Sequence, residues 1–239
     1  MKTKEELKKA VCAAIDARRD DILAFADSVA AEPELGFKEV KTSEKFTALL
    51  KALGRAPRTG IAHTGVVEEY KGAKSEIRVA VMGELDAILV ADHPDADKLT
   101  GAVHACGHNA QLASVAAIAY ALHDTDLMEN LDGDIVLMGV PAEEYVEVTY
   151  RNKLRDEGKL WFLGGKQEFI RLGEFDNIDI SVMQHSAVAA TGFKAGATSV
   201  CNGFTVKLIN YKGKAAHAGA APFEGVNALN AAIDRKSVV

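Results

Sequence analysis

Asp134-Ile135-Val136-Leu137-Met138-Gly139-Val140-Pro141-Ala142-Glu143-Glu144 decides how this chain is read. An unbroken apolar run ends in a proline, and two adjacent carboxylates follow. Such a run suits a strand buried on both faces, inside a parallel or mixed sheet. Two neighbouring glutamates ordinarily form a solvated surface pair. Here the apolar strand places its end deep, where carboxylates repel unless a cation or a shared proton separates them. Neighbouring side chains of an extended segment diverge, so one carboxylate can ligate while the other handles a water.

Working outward, Ile77-Arg78-Val79-Ala80-Val81-Met82 and Ile178-Asp179-Ile180-Ser181-Val182-Met183 also read as strands, and 66–70 is strand-like. Residues 109–123 are rich in alanine and leucine and read as a buried helix. Val11, Ile15, Ile22, Phe25 and Val29 recur at helical spacing, which predicts one long helix over 4–31. A second helix is expected from Thr42 or Ser43 to Leu53, stopped by Gly54. The stretch 151–173 reads as helical or irregular. Strands alternating with helices give an α/β fold, a mixed sheet covered by helices. After His185 the texture changes. Phe204-Thr205-Val206-Lys207-Leu208-Ile209-Asn210-Tyr211 alternates as a strand does, a Gly/Ala loop carries His217, and 225–233 resembles a helix that the final residues, 234–239, break. A boundary is expected within 190–196. The segment after it is too short for a comfortable core of its own.

Asp86, Glu143, Glu144 and His185 each follow a predicted strand, and open α/β sheets place ligand sites along that carboxyl edge. Cys106 and His108 lie two apart, on one side of an extended loop that runs into the 109–123 helix. Thiolate, imidazole and carboxylate together suit zinc or a similar divalent ion. Cys106, His108, Glu144 and His185 are therefore expected to converge, with Glu143 free to deprotonate a water. Single residues keep second readings. His104 is a supporting or simple loop histidine; Asp86 orients a ligating histidine or caps a turn. Glu84 is a ligand or a hydrogen-bond partner, His185 a ligand or a satisfied strand-end histidine. His217 is a surface histidine or, among small residues that admit close approach, a substrate-facing one.

Composition narrows the classes. The chain has 239 residues, 48% of them hydrophobic, and a net charge of −6, which disfavours nucleic acid and anionic membranes as partners. No stretch is apolar enough to span a membrane, and the charged N-terminus has no signal core. Three scattered cysteines do not make a disulfide framework, so a reducing, cytoplasmic setting is expected.

Taken in order, Pro33-Glu34-Leu35-Gly36-Phe37, Gly83-Glu84-Leu85-Asp86-Ala87, His104-Ala105-Cys106-Gly107-His108-Asn109, Pro141-Ala142-Glu143-Glu144, His185 and Gly213-Lys214-Ala215-Ala216-His217-Ala218 resemble the M20 metallopeptidase superfamily. The likeness is greatest to its amidohydrolase branch, with aminobenzoyl-glutamate, N-acyl-amino-acid and auxin-conjugate hydrolases. The resemblance implies a metal-dependent hydrolase of N-acyl or N-aroyl amino acids or small peptides, using two divalent metal ions, zinc or manganese. It assigns Cys106, His108, Glu144 and His185 as metal ligands, Glu143 as general base, and Asp86 as an acid beside the metal loop. It makes 1–192 the N-terminal part of a catalytic domain and 193–239 the start of an inserted, smaller α/β dimerisation domain. There His217 would reach the substrate of a partner subunit in a homodimer. Asn109 departs from the aspartate common in relatives. The family's last ligand histidine follows the inserted domain, so the chain reads as an N-terminal portion. The alternative reading is a catalytically impaired homologue that acts as a binding or regulatory module.

Overall fold

The computed structural model describes residues 2–186, 196 and 203–237. The elements run α1 (Lys4–Ala17), α2 (Arg19–Ala30), α3 (Val40–Ala52), β1 (Arg58–Ile61), β2 (Gly65–Tyr70), β3 (Ile77–Glu84), β4 (Ile88–Leu89), β5 (Ala102–Val103), α4 (His108–Asp124), β6 (Gly133–Val140), α5 (Val148–Asp156), α6 (Gly165–Arg171), β7 (Ile180–Met183) and α7 (Ala228–Ser237). Two compact units result, Met1–Ala190 and Thr191–Val239.

In the first unit five strands form one mixed sheet in the order β1-β2-β6-β3-β7. The deciding run is β6, in the middle of it. β6 pairs antiparallel with β2 and parallel with β3, and β3 pairs parallel with β7. Because β3, β6 and β7 share a direction, their carboxyl ends meet at one edge. Alternation along β6 divides the core. Leu137 joins Phe25, Val29, Phe46, Leu112 and Val115 on the side of α2, α3 and α4. Val136, Met138 and Val140 join Leu154, Leu160 and Phe169 on the side of α5 and α6. Helices cover both faces, which is why the run is apolar on both from Ile135 to Val140.

Two local expectations are corrected. The helix over 4–31 is two helices that break at Arg18, whose backbone leaves helical values (φ −98°, ψ 11°). Its guanidinium makes a paired hydrogen bond to Asp124 at the end of α4, at 2.7 and 3.2 Å. α3 starts before Thr42, because Glu34 serves as its cap from outside. The Glu34 carboxylate accepts from the amides of Lys41 at 3.1 Å and Thr42 at 2.9 Å, two of the donors a helix start leaves unpaired. The short β1, β4 and β5 carry no periodicity long enough to read.

In the second unit the described part of 204–211 is not a strand. Lys214 and Val226 form an isolated bridge. α7 continues to Ser237, beyond the expected break. No described side chain of this unit over 203–234 is buried, so 204–211 has no core to align its alternation. The expected boundary at 192/193 lies outside the described residues. Among the described residues no helix is long and apolar enough to cross a membrane.

Candidate metal centre

The carboxyl edge of the sheet gathers the site. His108 is the first residue of α4, and Gly107 before it has φ +90°, a conformation that side chains resist. A Cβ at Gly107 would lie 2.6 Å from Ser186 Oγ, so glycine lets the 104–108 loop close against the segment after β7. There Ser186 Oγ donates to the Cys106 carbonyl at 2.9 Å. The contact brings His185 Nε2 to 3.4 Å from Cys106 Sγ.

Both histidines have one nitrogen committed. The imidazole Nδ1 of His185 lies 2.7 Å from the Ser186 carbonyl, and that of His108 lies 2.8 Å from the Asp86 carbonyl. A carbonyl only accepts, so each Nδ1 carries a proton, and Nε2 is the nitrogen that can donate an electron pair once it is deprotonated. Asp86, completely buried, also sets Oδ1 3.3 Å from His108 Nδ1, and its Oδ2 accepts from the Glu144 amide at 2.9 Å. Asp86 thus touches both the His108 ring and the backbone of Glu144.

Two ligand clusters emerge, each with donor atoms within 4.8 Å of one another: Cys106, His108 and His185, and Glu84, His108 and Glu143. His108 belongs to both. Glu144 belongs to neither, although its negative charge acts on the Cys106 thiol. Burial, then Glu144, pushes the Cys106 thiol up to about 12. Burial holds the His108 imidazolium down, but Asp86 and Glu84 outweigh it and bring His108 to about 9. Glu143 is raised by burial first and then by Glu84. The rises at Cys106, His108 and Glu143 have the sense expected where negative groups are held close together. His108 Nε2 and Glu84 Oε2 face each other at 3.1 Å, buried and without a hydrogen-bond partner among the described residues. Orphaned donor atoms beside a thiol and a second imidazole fit a zinc-class ion.

The Glu143 segment is clamped from behind. Ala142 has φ +54°, strained for a non-glycine residue. The buried Glu39 carboxylate accepts from the Ala142 amide at 2.7 Å and from Thr64 Oγ1 at 2.7 Å. The buried guanidinium of Arg151 donates to the carbonyls of Ala142, Leu163 (2.7 Å) and Glu144. With Asp86 on the Glu144 amide, the backbone on either side of Glu143 is pinned. Sequence reasoning missed Glu39, Arg151 and also Lys166, which pairs with Glu84. No local pattern marks them: the partners of Glu39 and Lys166 lie far away in sequence, and Arg151 bonds to backbone carbonyls, which carry no side-chain signal. Gln111 was within reach, one helical turn after His108. Its side chain accepts from the Glu84 amide at 2.6 Å and donates to the Gln184 carbonyl at 2.7 Å, tying β3 to the end of β7.

His104 is pushed down to about 4 by burial and then by His108, and neither ring nitrogen has a hydrogen-bond partner among the described residues. His217 lies in the second unit, where its Nδ1 accepts from the amides of Gly219 and Ala220 at 3.1 and 3.0 Å and so holds its own turn.

Residues 80–232 match the model of Peptidase family M20/M25/M40. The chain is 31% identical to thermostable carboxypeptidase 1 of Saccharolobus solfataricus, over 88% of this chain and 50% of that protein. It is 26% identical to an N-acyl-L-amino acid amidohydrolase of Geobacillus stearothermophilus, over 95% and 56%. The chain spans about half the length of the curated relatives it matches. The crystal structure of Bacillus subtilis YXEP protein, a dinuclear metal binding peptidase from the M20 family, shares its fold with a TM-score of 0.55 at 24% identity, over 70% of this chain and 42% of that one.

Proposed function

Since this chain belongs to Peptidase family M20/M25/M40, we propose that it carries the metal-binding and proton-transfer groups of an amide hydrolase, with an N-acyl or N-aroyl amino acid or a small peptide as substrate. The observation that carries this reading is the cluster of Cys106, His108 and His185 beside Glu143 Oε2, which lies 3.9 Å from His108 Nε2. Cys106, His108 and His185 would hold the first ion, and Glu144, against the thiol, extends the set towards a second. We take the pair as zinc or manganese. When bound, such ions polarise an amide carbonyl and acidify water.

The chain's own residues do the rest. Asp86 fixes the His108 ring and keeps Nε2 turned to the site. Glu143 Oε2 takes a proton from the attacking water and passes it to the leaving nitrogen. Its raised proton affinity brings it nearer to the working range of a general base. The thiol ligand suits a reducing, cytoplasmic setting. In the same reading 193–239 begins a module for homodimerisation, with His217 turned to a partner's substrate.

The test is metal content together with hydrolysis of a panel of acyl-amino acids and dipeptides. Glu143→Gln should keep its metal and lose about 10²–10⁴-fold in kcat, the usual cost of removing a general base. Near-normal turnover in that variant overturns the role given to Glu143. Failure of Cys106→Ser to reduce metal binding overturns the centre.

A further inference from the structure

Lys166 is a fixed positive charge inside the metal centre that neither catalysis nor the fold has so far required. It is the second residue of α6, and α6 reaches the site because Gly165 packs flush on Pro141. A Cβ at Gly165 would sit 1.8 Å from the Pro141 carbonyl oxygen. The Lys166 ammonium is about a third exposed and pairs with Glu84 Oε1, while Glu84 itself is buried at the end of β3. The other Glu84 oxygen faces His108 Nε2.

His108 belongs to both ligand clusters, yet it has one uncommitted nitrogen, because Nδ1 holds the Asp86 carbonyl. One nitrogen serves one cluster at a time. The two clusters are therefore rival positions for the ion that His108 binds. One is soft, with Cys106 and His185; the other is hard, with Glu84 and Glu143. An ammonium already paired with Glu84 offsets a negative charge of the hard cluster directly, whereas Cys106 and His185 make no ion pair with it.

We propose that Lys166 is a tethered counter-cation that keeps Glu84 out of the ligand set and directs the ion to Cys106 and His185. It is a positioning residue, acting through Glu84, and it biases the centre towards thiolate-tolerant ions over manganese. This rests on the metal reading above.

Purified wild-type chain, Lys166→Met, Lys166→Gln and Lys166→Arg are titrated with Co2+, followed by the thiolate-to-cobalt charge-transfer band, and with Mn2+, followed by electron paramagnetic resonance. Circular dichroism checks the fold of each. In wild type the cobalt band should appear on binding. In both neutral variants Mn2+ should bind about tenfold or more tighter, as expected for loss of one adjacent positive charge, and the cobalt band per bound ion should fall. Lys166→Arg should behave as wild type. A wild-type band with Mn2+ affinity and cobalt spectrum unchanged in the neutral variants overturns the role of Lys166 and leaves the metal centre standing. Absence of any thiolate band in wild type overturns both.

Discussion

Glu39 shows how one buried side chain sets the geometry of another. Its carboxylate is fully enclosed, and burial, then the nearby Asp86, pushes it up to about 7 from 4.5. It still accepts from the Ala142 amide, two peptide units from the Glu143 side chain it helps to place. The folded state therefore holds a proton on Glu39 that the unfolded chain releases above about pH 4.5. Between that pH and about 7 the folded state binds more protons, so this group's contribution to stability falls as pH rises through the window. The effect is worth up to about 3 kcal/mol. Glu39→Gln retains an acceptor for Ala142 and removes the titration. Thermal unfolding of the metal-free chain from pH 5 to 8 should show wild type losing stability relative to Glu39→Gln as pH rises. Parallel curves would show that Glu39 is not a proton store. No sequence pattern marks this residue, since nothing near position 39 predicts a partner at 142. Glu143 and Cys106 were legible because their chemistry is rare at strand ends and in Gly-flanked loops.

At the scale of elements, α6 is where backbone contact matters most. The approach of Gly165 to Pro141 holds both Lys166 and the strand-end carboxylates, and no side chain fits between. Gly165→Ala would push α6 off β6's carboxyl end, with a cost of about 1–3 kcal/mol as in other overpacked contacts. Denaturant titration should show a lower midpoint at an unchanged slope, and metal affinity should fall with it. An unaltered midpoint would mean that α6 is loosely held. Of the elements that sequence periodicity found, β3, β6 and α4 are largely buried, whereas the residues of β7 are exposed. β7 and the 204–211 stretch carry similar alternation, but among the described residues only β7 has a neighbour, β3, to pair with. The break at Arg18 and the cap on α3 escaped notice because Asp124 and Glu34 supply them from elsewhere. Two of the three residues that clamp 142–144, Glu39 and Asp86, come from far away in sequence, so no short window contains the whole clamp.

For the molecule as a whole, the ion in the proposed centre joins what the sheet alone holds weakly. β7 is an edge strand paired only with β3, and its residues are exposed. Cys106 and His185 lie 79 residues apart in sequence, one before α4 and one just after β7. An ion bound to both would close that loop in the native state and find no such site in the unfolded chain. Ligand present at a hundredfold its Kd adds about 2.7 kcal/mol of stability. For a unit of this size that is a rise of about 5–10 °C in midpoint. Calorimetry in zinc and in chelator should show that rise for wild type and little of it for Cys106→Ser. Hydrogen exchange should locate it, with amides of β7 and of the first turn of α4 slowing in zinc while those of α1 change little. Equal midpoints in zinc and chelator for wild type would remove the metal from the first unit, and with it the chemistry assigned to Glu143.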